Sequence, residues 1–196
     1  MNINTYFKGG MLLLLAACSR KDDAIAQKFN VDESVSVVEW RGSAPTHYHT
    51  GSFKVTGSFQ TNGTKQVTGG DFTIPIASIE NFDLTGVPKT ELLDHLKSPA
   101  FFNLALHPTA TFHITKVEPG SNNKATVTGD FTMLGQKHPL QIPAKIIVEK
   151  DRLYVEGTVN LNRLTWGMNS YSDPAGTLYI LPEVVITLKI QGTPSK

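Results

Sequence analysis

From about Val31 onward, apolar and polar side chains alternate along nearly the whole chain, and a two-residue period of that length confines the fold to half-buried antiparallel strands. Eight such segments are bounded by turn residues. The first covers residues 35–40. The second, residues 49–59, puts Phe53, Val55, Gly57 and Phe59 on one face, and Asn62-Gly63 offers a tight turn after it. The third carries Phe72, Ile74 and Ile76. The fourth has Ala110, Phe112 and Ile114, and the fifth has Val127, Phe131 and Met133. Leu134-Gly135-Gln136-Lys137 turns the fifth into the sixth, with Leu140, Ile142, Ala144, Ile146 and Val148. The seventh and eighth place Val155, Val159 and Leu161, then Ile180, Val184, Ile186, Leu188 and Ile190, on their apolar faces.

One stretch, residues 91–112, breaks the alternation. Leu92, Leu93 and Leu96 fall one turn apart, Pro88 and Thr90 stand where a first turn and cap are wanted, and Pro99 stops the run. The spacing predicts one short helix after the third strand. Phe101, Phe102, Leu104 and Leu106 follow, so the segment is expected to pack over apolar surface as a lid or plug. Many strands on short hairpins with one helical crossing fit an up-and-down barrel or a sandwich. The number and uniformity of the strands favour an all-β, eight-stranded antiparallel barrel, the smallest that holds a ligand inside.

With 196 residues, 40% of them hydrophobic and 18% charged, the chain supports one core and shows no internal linker. A formal charge of +1 without a basic stripe removes the electrostatic footprint of a nucleic-acid binder. The single cysteine, Cys18, excludes an intrachain disulfide.

That cysteine follows a short N-terminal region with one lysine and the apolar run MLLLLAA, which reads as a secretory signal and is too short to span a bilayer as a helix. Leu15-Ala16-Ala17-Cys18 resembles the lipobox of bacterial lipoproteins, in which cleavage precedes the cysteine and a diacylglycerol is attached to its sulfur. Residues 1–17 are therefore assigned to the signal, 18–27 to a polar tether and 28–193 to the barrel domain. Ser19 resembles the outer-membrane-sorted case, facing the periplasm. Lys21-Asp22-Asp23 resembles surface-export signals.

His47 and His49 stand two apart and share a strand face, a spacing that suits a metal, but a site needs three or four ligands and nothing gathers His95, His107, His113 or His138 to them. No metal is assigned. There is no serine elbow, no activated cysteine after processing and no partnered carboxylate pair, while Asp94 and His95 diverge on the helix. No catalytic residues are assigned, and the chain is not read as an enzyme.

Several fragments together resemble the YceI-like family. They are Glu39-Trp40-Arg41-Gly42 with His49-Thr50-Gly51; Gly69-Gly70 with Phe72-Thr73-Ile74-Pro75; Asp94-His95-Leu96-Lys97-Ser98 with Phe101-Phe102-Asn103; Pro108-Thr109-Ala110-Thr111-Phe112; Gly129-Asp130-Phe131-Thr132; and Asn162-Arg163 with Trp166-Gly167-Met168. They cover roughly residues 29–192. The resemblance implies a lipocalin-like barrel whose lumen takes an amphiphile with an isoprenoid tail, of polyprenyl phosphate or quinone type, with no other cofactor. Trp40, Phe53, Phe72, Phe112, Phe131 and Trp166 are then candidates for the lining, Phe101 and Phe102 for the entrance, and His49 and Arg163 for polar contacts. Asn162, where an Asp is frequent, and the additional His47 depart from the pattern. The expected role is an anchored envelope carrier or sequestering protein. The alternative is an envelope interaction protein with a filled barrel and a docking surface on residues 162–177, its protein partner unknown.

Overall fold

The computed structural model describes residues 26–195, so the expected signal 1–17, Cys18 and the tether up to residue 25 lie outside the described residues. Eleven strand segments form one antiparallel sheet. They are β1 (Gln27–Val31), β2 (Val37–Ser43), β3 (Tyr48–Phe53), β4 (Thr56–Thr61), β5 (Val67–Pro75), β6 (Glu80–Asn81), β7 (Thr109–Pro119), β8 (Lys124–Met133), β9 (Gln136–Val148), β10 (Leu153–Asn162) and β11 (Glu183–Pro194). Around the ring the order is β1-β4-β5-β7-β8-β9-β10-β11, and β11 pairs back onto β1. This closes an eight-stranded barrel, in which alternate side chains on every strand point inward.

The remaining segments extend the same lines. β11 takes β1 at residues 192–194 and β2 at residues 184–189 on one edge, so β1 and β2 act as one bent strand. β3 continues β4, and β6 continues β5 beyond a 3-10 turn at Ile76–Ser78. The breaks have local causes. In the first, the Asp32 carboxylate accepts from the Ser34 N–H and hydroxyl and folds residues 32–36 into a turn. In the second and third, the Ser78 hydroxyl accepts from the Lys54 N–H at 3.0 Å, so the two neighbouring bends are bonded to each other. Side-chain groups thus replace ladder bonds where three adjacent strands change direction together.

Three expectations need correction. The helix, α1 (Gly86–Lys97), follows β6 rather than a third strand, because β1 precedes the first alternating run and the barrel's next two lines are each divided, into β3 and β4 and into β5 and β6. Its N-cap is Thr85, not Thr90, and none of its residues is fully buried. The hairpin after β4 obtains its positive φ at Lys65, while Asn62 works through its side chain, which accepts from the Thr64 and Gln66 N–H groups. At the β8–β9 hairpin, Leu134 (φ 52°) and Gly135 (φ 73°) both take the left-handed region, as a two-residue turn requires.

The strand directions give the barrel two unlike ends. One holds the hairpins at residues 62–66, 120–123 and 149–152, and is closed by Phe29 and Leu153, both fully buried and packed on either side of Gly192. The other holds the β2–β3 connection, α1 with the turns after it, and residues 163–182. There, no pairing joins β6 to β7 among the described residues, and α1 lies in the chain between them, with Leu93 and Leu96 packed against the core.

At this end Gly51 sits beneath the Trp40 ring, where a Cβ would lie 1.8 Å from the Glu80 carbonyl oxygen and 2.6 Å from the indole. Gly51→Ala is expected to break the β3–β6 pairing and cost about 3 kcal/mol, by the usual scale of overpacking. The check is a lower urea midpoint at unchanged slope.

Candidate functional site

The inward side chains do not fill the barrel. They leave a cavity of about 300 Å³, at the lower end of the range of about 300–1,000 Å³ usual for small-molecule pockets. β9 contributes Leu140, Ile142, Ala144 and Ile146, β10 contributes Val155, Val159 and Leu161, and β11 contributes Val184, Ile186, Leu188 and Ile190. The filled barrel of the alternative reading is therefore not what this sequence builds.

Aromatic rings wall the opposite side. Phe59 and Phe72 meet edge to face at 4.7 Å, Phe112 lies between Phe72 and Phe131 across β5, β7 and β8, and Phe53 meets Phe102 at 5.5 Å. Of the residues named from the resemblance, Trp40, Phe53, Phe72, Phe112 and Phe131 line the cavity, and so do Phe101 and Phe102, expected at the entrance. Trp166 does not. It is buried outside the cavity, its Nε1–H donating to the Phe131 carbonyl at 3.1 Å and its ring set against Phe131 and His138. An indole after a strand end serves here to brace the β8–β9 corner.

Apart from the Trp40 indole, the polar lining consists of Ser43, His47, His49, His95 and Arg163, and all five belong to the end that carries α1. His47 and His95 are also exposed, which places the opening there. Arg163 is 1% exposed. Its guanidinium donates from Nε to the Leu181 carbonyl (3.3 Å), from Nη2 to those of Ile180 (2.9 Å) and Tyr171 (3.4 Å), and from Nη1 to that of Met168. Burial pushes its pKa down, opposed by the Tyr179 hydroxyl, yet a guanidinium stays charged. None of the ion pairs among the described residues involves it.

His49 has a partner that sequence reading misses. Its Nδ1 lies 2.6 Å from Asp83 Oδ2, while Asp83 Oδ1 accepts from the Thr50 N–H (2.7 Å), the Thr50 hydroxyl and the Asn81 amide (2.9 Å). Asn81, 2% exposed, also donates to the Thr50 carbonyl and accepts from the Leu84 N–H. The carboxylate fixes the ring and leaves Nε2 free for another partner. His47 packs edge to face on His49 at 5.3 Å. The dyad is 34 residues apart in sequence, and only the short β3–β6 pairing brings its members together. Among the described residues, no three His, Cys, Asp or Glu side chains are gathered as a metal site would need.

Partial burial pushes the Asp83 carboxyl upward, but the Thr50 N–H, the His49 ring and the Asn81 amide outweigh it and hold the pKa at about 2. A folded pKa below the unfolded value stabilises the fold above about pH 4 and loses that contribution as pH falls through about 2. Asp83→Asn is therefore expected to unfold more readily than the parent protein at pH 5. In urea titrations the gap should close between pH 4 and pH 2.

The YceI-like domain profile matches residues 29–192 of the chain. A UPF0312 protein of Pseudomonas aeruginosa is 33% identical over 104 residues, covering 50% of this chain and 51% of that protein. One from Vibrio campbellii is 29% identical over 136 residues, covering 63% and 69%. The chain spans about half the length of the first of these curated relatives. Burkholderia cenocepacia BcnA superposes with a TM-score of 0.70 at 21% identity, over 83% of this chain and 99% of that one. A Campylobacter jejuni YceI protein superposes at 0.58 and 17% identity, over 72% and 81%. At those identities the structural likeness is one of fold.

Proposed function

The chain belongs to the YceI-like domain family, and on that footing we propose that it is a lipid-anchored protein of the cell envelope that holds an isoprenoid amphiphile in its barrel cavity, as carrier or sequestering protein. The observation that carries the reading is the cavity itself, about 300 Å³ enclosed by aliphatic and aromatic side chains, with its polar groups gathered at one end. Each methylene withdrawn from water is worth about 0.8 kcal/mol, so a fifteen-carbon tail gains on the order of 10 kcal/mol before the costs of binding. A neutral hydrogen bond nets about 1 kcal/mol. The tail supplies the affinity, and the polar end sets the orientation. The ligand leaves chemically unchanged.

Cys18 is the proposed attachment point, at the outer membrane and facing the periplasm. Cys18→Ser should abolish palmitate incorporation and release the protein from the membrane fraction.

Native mass spectrometry of the whole chain, incubated with total lipid extract from its own source, tests the lumen reading. A one-to-one isoprenoid adduct is expected, and a protein that stays bare sinks it. Ala144 lines the cavity on β9 between the larger Ile142 and Ile146. Ala144→Phe should fill it and lower the adduct by about tenfold, with the barrel's far-ultraviolet dichroism retained.

A further inference from the structure

The charge of the lining is one-sided. Among the described residues no Asp or Glu lines the cavity, whereas Arg163 and three histidines do. A histidine adds either nothing or positive charge. The acid bonded to one of them, Asp83, has both oxygens engaged by His49, Thr50 and Asn81. Arg163 is the larger anomaly, a fully buried cation whose four hydrogen-bond acceptors are all backbone carbonyls. Carbonyls satisfy donors, but they leave a full positive charge uncompensated in an apolar enclosure, an arrangement that proteins ordinarily avoid.

A second observation points the same way. Trp40 Nε1 is the one buried side-chain nitrogen or oxygen among the described residues without a hydrogen-bond partner, and its ring lines the same cavity. Buried donors are seldom left unpaired, so this end has a spare donor as well as a spare charge.

Building on the lumen reading, we propose that the amphiphile's head group is anionic, a phosphate or carboxylate, seated at the end of the cavity that holds Arg163, His47, His49 and His95. The head completes the charge balance of Arg163, and the tail runs toward Phe29 and Leu153. A neutral head forms hydrogen bonds there but leaves the charge unanswered. At the effective dielectric of a partly buried site, the ionic contribution amounts to about tenfold in affinity or more.

Gly42 makes the test possible without touching Arg163. It lines the cavity at this end, and a Cβ built on it meets nothing within 4 Å. The whole chain is titrated with farnesyl phosphate and with farnesol, which share one tail, by displacement of a fluorescent prenyl probe. The phosphate ester should bind at least about tenfold more tightly. The ratio of the two affinities should fall in Gly42→Asp and rise in Gly42→Lys, with Gly42→Asn between them. Inorganic phosphate alone should displace nothing. Equal affinities with a flat Gly42 series overturn the proposal while leaving the lumen reading standing, and displacement by inorganic phosphate overturns it in favour of an anion site independent of the tail. If neither prenyl compound binds, the lumen reading fails and takes this inference with it.

Discussion

Everything in this molecule depends on one edge of β11, the last strand, which pairs with β1 at residues 192–194 and with β2 at residues 184–189. Without that seam the sheet would present two free edges and wet both faces. With it, every inward side chain loses contact with bulk water at once, and the alternation on all eight strands becomes a single apolar interior. The seam also joins the two ends of the domain in sequence, so the barrel closes only when nearly all of the chain is present. The bend between β1 and β2 belongs to this joint. The Ser36 hydroxyl accepts from the Gln191 N–H at 3.0 Å and so binds the bend to β11.

Closure then creates a packing problem that the sequence leaves unsolved. One wall is built of large rings, Phe59, Phe72, Phe112 and Phe131 on successive strands. Facing it, β9 and β10 use smaller aliphatic residues, Ala144, Val155 and Val159 among them. Rings on one wall and small groups on the other leave room between them, and an apolar void gains nothing from admitting water. The far end is sealed by Phe29 and Leu153, so among the described residues the interior meets solvent where Ser43, His47, His49, His95 and Arg163 stand.

The division between what the sequence discloses and what it hides follows the reach of the forces. The period-two pattern is local and strong from β7 to β11, where the strands run unbroken, and the residues on its apolar faces there, Phe112 and Phe131 among them, turn into the barrel. The interruptions of the first three strands were not legible, because they come from a few side-chain hydrogen bonds of Asp32 and Ser78 that leave the hydropathy pattern intact. Trp166 reads as a lining residue on size and neighbourhood, but its N–H finds the Phe131 carbonyl and turns the ring away from the cavity. Asp83 carries no local signal at all. It lies just beyond a two-residue strand, and its importance depends on β6 being paired with β3. Asp94 beside His95 looks like the more suggestive pair in sequence, yet adjacency on a helix separates them while a strand pairing joins His49 to Asp83.

The mouth is where the ladder ends, and it is held by groups that work over many residues. Asn81 and Asp83 tie the β6–α1 connection to β3, and Arg163 gathers the carbonyls of Met168, Tyr171, Ile180 and Leu181 into one loop. Tyr171, at φ 55°, then meets His95 of α1 and stacks on Phe101, so the loop and the helical segment close on each other across the opening. A neutral side chain of similar length could not collect four carbonyls, which explains why a charge is buried at this point. That same charge faces an apolar enclosure with no acid among the described residues of its wall, so the device that shapes the opening also gives it a sign. Structure and selectivity at this end thus share one residue, and the shape of the loop and the preference for a head group cannot vary independently.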